Sequence, residues 1–448
     1  MIPIMEFQER SLRGPVKKST EFDLAYARKV RELAAKHQIR YLPEELIVDD
    51  QTADAIFQAG VELLAGVGLY HLDTQRVIEF QEAEIRQVAQ EYCRNPPRQS
   101  FGSGADRITV EARTSQDRRP PILAGGPAGA IEEEWFVPYV QSFAQEETNQ
   151  ALGIAGGIAS VGGLQPKVGT LSEVHCGLWE TRKLLEVLAR VGRPGLHLGL
   201  LCTVSTVGAI LACIGPGLRE AHNTQIGIHV IPELKLDWTR LLLAQFCQDR
   251  GITPWTSSMS MVGALNRNGA EAAVGIVANL LAQLSYGHGT VASLFSNHLD
   301  GRWADAETQW AFSGAARASE RNIRVAILGV CGGMERTWRT EAGMLQAAAM
   351  AISNTASGFA YSWIAGHSGL ETRLVGEIMR AVAGMERRQA NELLKKVLEL
   401  SDRKTAATAG PRSFPEAYDL DTVKPRPGLL ADYHRVKEDL ARLGVPFP

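Results

Sequence analysis

From about residue 120 onward the chain alternates short apolar runs with amphipathic stretches, and that alternation limits the fold more than anything else in the sequence. The runs cover 121–126, 151–160, 195–203, 224–231, 254–259, 290–297, 324–330 and 358–365. The third is the clearest. Gly192, Pro194 and Gly195 stop a helical pattern, and the nearly uncharged run that follows ends in polar Cys202 and Thr203, as a buried parallel strand opening into a site would. Helical stretches separate the runs. One opens with Thr170-Leu-Ser-Glu173, in which Thr170 can cap the backbone and Glu173 can reach back, and continues with Leu178, Leu184, Leu185 and Leu188 on one face. Others cover about 238–250, 269–284, 304–319, 340–353 and 371–388. About eight strands alternating with about eight helices predict a (β/α)8 TIM barrel. A doubly wound open sheet shares the alternation and is the structural rival.

The flanks read differently. Residues 1–118 are expected to form a mainly helical extension, with helices at about 21–37, 52–67 and 82–93, a break at Asn95-Pro96-Pro97 and a short strand at 108–111. Residues 119–388 hold the barrel. Residues 389–448 are expected to form a C-terminal helical extension, with helices at 389–400 and 429–443 around a polar linker at 402–411. With 45% hydrophobic and 22% charged residues in 448, the chain can bury a large core, and a net charge of −3 leaves no electrostatic footprint for nucleic acid or an anionic membrane. Charges at Glu6, Glu9, Arg10, Arg13, Lys17 and Lys18 do not suit a signal peptide, and no uninterrupted apolar run has transmembrane length, so a cytoplasmic protein is expected. Six scattered cysteines, Cys93, Cys176, Cys202, Cys213, Cys247 and Cys331, read as buried free thiols rather than disulfide or zinc ligands.

In a barrel of this kind the chemistry sits where strands end. The candidates are Gly125, Gly126, Gly156, Gly157, Ser160, Cys202, Thr203, His229, Glu233, Ser257, Ser258, Asn297, His298, Cys331, Gly332, Gly333, Glu335, Trp363 and His367. Glycine pairs such as Gly125-Gly126 and Gly332-Gly333 would let a bulky planar cofactor approach the backbone, or simply make tight turns. Lys167, Lys183 and Lys235 fall in loops or helices, which weakens a Schiff-base reading. His229, Glu233, His298 and Asp300 lack metal-motif spacing, so no bound metal is expected. The Gly125-Gly-Pro-Ala-Gly129 turn lacks the spacing of a dinucleotide or Walker loop. Trp255, Phe295, Tyr361 and Trp363 lie on or beside the ends of strands five, six and eight, and Tyr361 and Trp363 should share a face. Such rings either pack a core or cage a methylated ammonium group by cation–π attraction of roughly 0.5–2 kcal/mol per ring.

Several segments carry a family resemblance: Ile122-Leu-Ala-Gly-Gly-Pro-Ala-Gly129, Glu180-Thr-Arg182, Gly192-Arg-Pro-Gly195, Glu233-Leu-Lys235, Asn354-Thr-Ala-Ser-Gly358, Gly376-Glu377 and Tyr418-Asp-Leu420. With them the chain resembles the monomethylamine:corrinoid methyltransferases over nearly its whole length. The resemblance implies a TIM barrel, usually a homo-oligomer. It also implies movement of a methyl group from a small methylated amine to the cobalt of a corrinoid (cobalamin) on a separate protein docked at the barrel mouth. The pyrrolysine of these enzymes falls here on Gly199, or on Leu200 if the gap is placed differently; their two glutamates fall on Gly227 and Ser257, and their glutamine on Cys331. Every one departs, so the resemblance is to a family member lacking pyrrolysine, with a rebuilt pocket.

Two functions follow from this. In the first, the chain still transfers methyl groups, but from a nitrogen that is already quaternary, held by an aromatic cage with His229 and Asn297. In the second, it has become a binding protein or an enzyme of other chemistry that uses His229, Glu233 and Cys331. The expected catalytic residues are His229, Glu233 and Cys331. Gly199, Cys202, Gly227, Ser257, Asn297, Tyr361 and Trp363 are expected to meet the substrate, and Gly125, Gly126, Gly332 and Gly333 the corrinoid.

Overall fold

The computed structural model describes residues 2–153, 155–201, 203–287, 289–332, 337–408 and 410–447. Seven strands form the main sheet: β1 (Ile122–Gly126), β2 (Ala151–Leu152), β3 (Ile226–Gly227), β4 (Pro254–Val262), β5 (Val291–His298), β6 (Ala326–Val330) and β7 (Tyr361–Ala365). Their order is β2, β1, β7, β6, β5, β4, β3, and every neighbouring pair is parallel. The extended segment 197–199 joins the two free edges as the eighth stave. Ala151 bridges His197, and the Leu152 N–H donates to the His197 carbonyl at 2.8 Å. On the other side Leu198 N–H donates to the Asn223 carbonyl at 2.8 Å and Gln225 N–H to the Gly199 carbonyl at 3.1 Å. The sheet thus closes into a TIM barrel, and the open-sheet rival falls away.

Two of the expected strands change shape. The run at 195–203 pairs only at its centre, because Gly199 has φ +65° and turns the chain out of the sheet. The run at 151–160 divides into β2 and a second piece, Ala155–Ile158, which pairs in parallel with Ala128–Ile131 beyond the strand ends. The capping box expected at Thr170 is also replaced. Glu173 accepts from the Gly169 N–H at 2.8 Å, and the Thr170 hydroxyl donates to the Lys167 carbonyl.

Alternation along β4 sets the two faces of the wall. Thr256, Ser258 and Ser260 turn outward to helix Gly269–Gly287, with Ser258 Oγ donating to Gln283 Oε1 at 3.4 Å, while Trp255 and Ser257 turn inward. That helix is buried along its whole length because helices Ser19–Lys36 and Asp50–Val67 of the N-terminal part pack over it. Its Ile276, Leu280 and Leu284 are fully buried, each contributing about 1.5–3 kcal/mol. Across the barrel, helices Arg387–Ala406 and Pro427–Leu443 cover helix Glu341–Ala356 in the same way. The antiparallel hairpin Arg98–Phe101/Ile108–Glu111 closes the N-terminal end of the barrel, where Phe101, Ile108 and Val110 join Val291, Ala326, Leu328 and Tyr361 in one buried cluster. The opposite end, where the strands finish, is left as the mouth. Among the described residues no helix is long and apolar enough to cross a membrane.

Candidate active site

The inward side chains of β4, β5 and β7 bring the four expected aromatic residues together. Trp363 stands edge-on to Trp255, with ring centres 5.8 Å apart at 77°, and edge-on to Phe295 at 6.4 Å and 76°. Tyr361 lies 6.4 Å from Trp255, and Trp303, which sequence reasoning missed, meets Phe295 at 6.1 Å. Trp255 and Tyr361 are 3% and 0% exposed, so they form the floor above the hairpin, whereas Trp363 is half-buried and faces the chamber. The stave that meets this ring carries a glycine. Trp363 Nε1–H donates to the Gly153 carbonyl, and a Cβ on Gly153 would lie 2.2 Å from the indole.

His229 and Ser257 form the polar wall. His229 Nδ1 and Ser257 Oγ are hydrogen-bonded at 2.6 Å. The imidazole lies over Gly227, where a Cβ would come within 2.7 Å of Nε2. Burial, reinforced by the nearby Arg240 guanidinium, pushes His229 down to about 4, so it is neutral at physiological pH. Asn297 stands on the inward face with Phe295. Its Nδ2 donates to the His298 carbonyl at 2.9 Å, and its Oδ1 has no partner among the described residues. None of these wall residues carries a charge at neutral pH.

The remaining candidates lie elsewhere. Glu233 is buried behind β4, where it accepts from Ser260 Oγ at 2.6 Å, Asn266 Nδ2 at 3.0 Å, Met261 N–H at 3.1 Å and Tyr26 Oη at 3.3 Å. Burial lifts its carboxyl above the ordinary range, and it makes no bond to His229. Cys331 follows inward Val330 and turns outward to helix Glu341–Ala356, where Asn354 Nδ2 donates to its sulfur at 3.0 Å; burial pushes the thiol up to about 12. Of the three expected catalytic residues, only His229 fronts the chamber. Gly125 faces outward, where a Cβ would meet Thr372 and Phe143. Gly126 is inward at the end of β1, opposite Ala365. Gly332 makes room for His367 rather than for the chamber. Cys202, Gly333 and Glu335 lie outside the described residues.

Gly199 offers backbone only, since a Cβ there would sit 2.3 Å from the Leu152 carbonyl oxygen. Leu200 is half-buried and packs against the buried cluster that holds Trp255 and Tyr361. A buried pair fixes this bend from outside. Arg219 donates to the Gly199 carbonyl at 3.1 Å and lies 3.6 Å from Glu180, which also receives the Thr203 hydroxyl. Burial raises Glu180 to about 7 against the pull of Arg219. Glu173, seven residues earlier on the same helix, is opposed by burial but held down to about 2 by the Ser205, Thr206 and Gly169 N–H groups. Two carboxylates at that spacing on one helix face were the sequence signal for this anchoring pair. His367 likewise pairs with Glu371 at 2.8 Å, four residues on, and both are buried. Among the described residues no three His, Cys, Asp or Glu converge to hold a metal, and Cys93, Cys176, Cys213, Cys247 and Cys331 are free thiols.

A family model described as monomethylamine methyltransferase MtmB matches residues 2–445. Monomethylamine methyltransferase MtmB of Methanosarcina mazei is 28% identical over 474 aligned residues, covering 99% of this chain and 98% of the relative. MtmB2 of Methanosarcina acetivorans is 28% identical over 468, with the same coverage. The crystal structure of the Methanosarcina barkeri monomethylamine methyltransferase matches with a TM-score of 0.92 at 24% identity, over 100% of this chain and 99% of that one.

Proposed function

Since the chain belongs to the monomethylamine methyltransferase (MtmB) family, we propose that it moves a methyl group from a quaternary ammonium compound to the cobalt of a corrinoid carried by a separate protein. The observation that carries this reading is the inner wall of the barrel mouth, which is aromatic and, among the described residues, uncharged. A primary ammonium must place three N–H groups on acceptors, of which this wall offers Asn297 Oδ1, unpartnered among the described residues, and a small amine without positive charge is a poor leaving group. A quaternary nitrogen has a diffuse charge, carries no N–H and is already activated. A ring on this wall such as half-buried Trp363 is worth roughly 0.5–2 kcal/mol to such a cation that meets its face. The neutral His229–Ser257 pair, above Trp255 toward the mouth ends of β3 and β4, adds no competing charge.

In this reading the reduced cobalt supplies the nucleophile for the methyl carbon, and the C–N electron pair returns to nitrogen to leave a neutral tertiary amine. The chain itself does no covalent chemistry. It aligns one methyl with the mouth, excludes water and holds the cation, which lowers the barrier through positioning. Neither Gly199 nor Leu200 can act as an electrophilic anchor, and a quaternary donor needs none. A binding protein that uses His229, Glu233 and Cys331 together has less support, because Glu233 and Cys331 are engaged outside the chamber. The working form is a homo-oligomer in this proposal, supported by exposed Met5, Leu12 and Val16 near the N-terminus and checked by sedimentation velocity.

The test is methyl-cobalt formation, followed by cobalt absorbance with cob(I)alamin or a reduced corrinoid protein and a panel of N-methyl compounds. Tetramethylammonium or another quaternary donor should methylate cobalt, and monomethylamine should not. Reaction with monomethylamine alone would replace the proposed donor, and no reaction with any compound would remove the methyl-transfer reading.

A further inference from the structure

Exposed apolar side chains gather on one loop at the barrel mouth. Leu164, Val168 and Leu171 are 56%, 70% and 90% exposed, and they follow the strand piece Ala155–Ile158 that extends beyond the barrel. Single exposed apolar residues are ordinary, but here three fall within residues 164–171 of one anchored loop. The loop is also fixed in place. Gly162 N–H donates to Glu133 Oε2 at 2.7 Å, Val161 and Leu164 exchange backbone hydrogen bonds at 3.0 Å, and Gly169 N–H donates to Glu173 Oε2 at 2.8 Å. Helix Glu133–Ala144 begins after β1 and helix Leu171–Arg190 after the second stave, so both anchors sit on the mouth face. Leu299, 64% exposed just after β5, adds an apolar side chain to the same face.

What covers this loop follows from access. The hairpin carrying Phe101, Ile108 and Val110 blocks the far end of the barrel, so whatever accepts a group from the chamber must come through the mouth and touch its rim. The rim loop is nearly uncharged, with Lys167 the lone charge in residues 160–171. An edge of this kind selects its partner by apolar burial rather than by charge steering.

We infer that Leu164, Val168 and Leu171 form the landing edge for the corrinoid-bearing protein, a partner whose cobalt face is bordered by apolar, weakly charged surface. This rests on the methyl-transfer reading above. The experiment compares two methyl acceptors, a reduced corrinoid protein and free cob(I)alamin, using the full chain and its Leu164→Glu, Val168→Glu and Leu171→Glu variants. All three positions are solvent-facing, so the variants should fold, and Leu24→Glu, 65% exposed on helix Ser19–Lys36, serves as the remote control. The expected result is a KM for the corrinoid protein raised at least tenfold in the rim variants and unchanged in Leu24→Glu, with rates on free cob(I)alamin within twofold of the parent. An unchanged KM in all three rim variants overturns the inference, as does an equal loss on both acceptors. A parent protein that methylates neither acceptor overturns the methyl-transfer reading, and the landing edge with it.

Discussion

The two halves of the barrel wall do opposite things with the same backbone. Strands β4, β5 and β7 fill the interior with Trp255, Phe295, Tyr361 and Trp363. The facing staves bring Ala124, Gly153, Gly199 and Gly227, which contribute space and carbonyl groups. A chamber needs both, because rings alone would pack to native density and leave no room. The difference teaches that the glycines here are matched to particular neighbours, Gly153 to Trp363 and Gly227 to His229.

Changes on the aromatic half should cost most. Trp363→Ala removes the ring that touches Trp255, Phe295 and Gly153, and should lower stability by about 3 kcal/mol in urea unfolding. Calorimetry should also show at least a tenfold loss of quaternary ammonium affinity. Next comes the facing half. Gly153→Ala drives a methyl into the indole and should cost about 1–3 kcal/mol, with the fluorescence of Trp363 shifting as the ring is displaced. Ala124→Gly, the cross-strand neighbour of Trp363 on the same half, puts no new atom into the ring and should leave ammonium affinity within twofold. A large loss there would break the comparison.

The polar wall between the halves gives smaller, pH-dependent effects. His229 titrates near 4 in the fold, below its ordinary 6.5, so the unfolded chain takes up its proton first as pH falls. The stability its neutral form contributes is complete above about pH 6.5 and is lost as pH drops toward 4. His197 is pushed down to about 4 as well and titrates in the same window. His229→Gln should therefore flatten part of the acid slope of the urea midpoint, not all of it. Ser257→Ala is expected to have the smallest effect, about 0.5–1.5 kcal/mol, through loss of the bond that orients His229. A KM change with an unchanged kcat would mark that pair as positioning rather than chemical.

Much of this was legible in the chain. Strands β4 to β7 begin within three residues of their apolar runs, because a parallel strand buried on both faces leaves an unbroken signal. Period-two spacing put Tyr361 and Trp363 on one face, and their rings do meet a common neighbour in Trp255. Depth was not legible. Tyr361 is floor rather than wall because hairpin Arg98–Phe101/Ile108–Glu111 docks from more than two hundred residues away. Nor could strand-end residues be assigned a side. Cys331 is one step beyond inward Val330 and so turns away, and Glu233 is captured by Tyr26 from a helix of the N-terminal part. The third stave was obscured by Gly199, whose positive φ ends the strand inside an apolar run that gives no sign of it.

The plugged end has a kinetic meaning. In the proposed reaction a vessel with one door imposes a queue: the small cation must be inside before a protein-sized acceptor stands in the doorway, and the spent amine waits until that acceptor steps back. Turnover should then follow a compulsory order, with excess acceptor protein slowing the reaction by shutting out the next cation, and the inhibition relieved by raising the amine concentration. A hairpin of about a dozen residues at the bottom of the barrel would thereby set the traffic rules at its top.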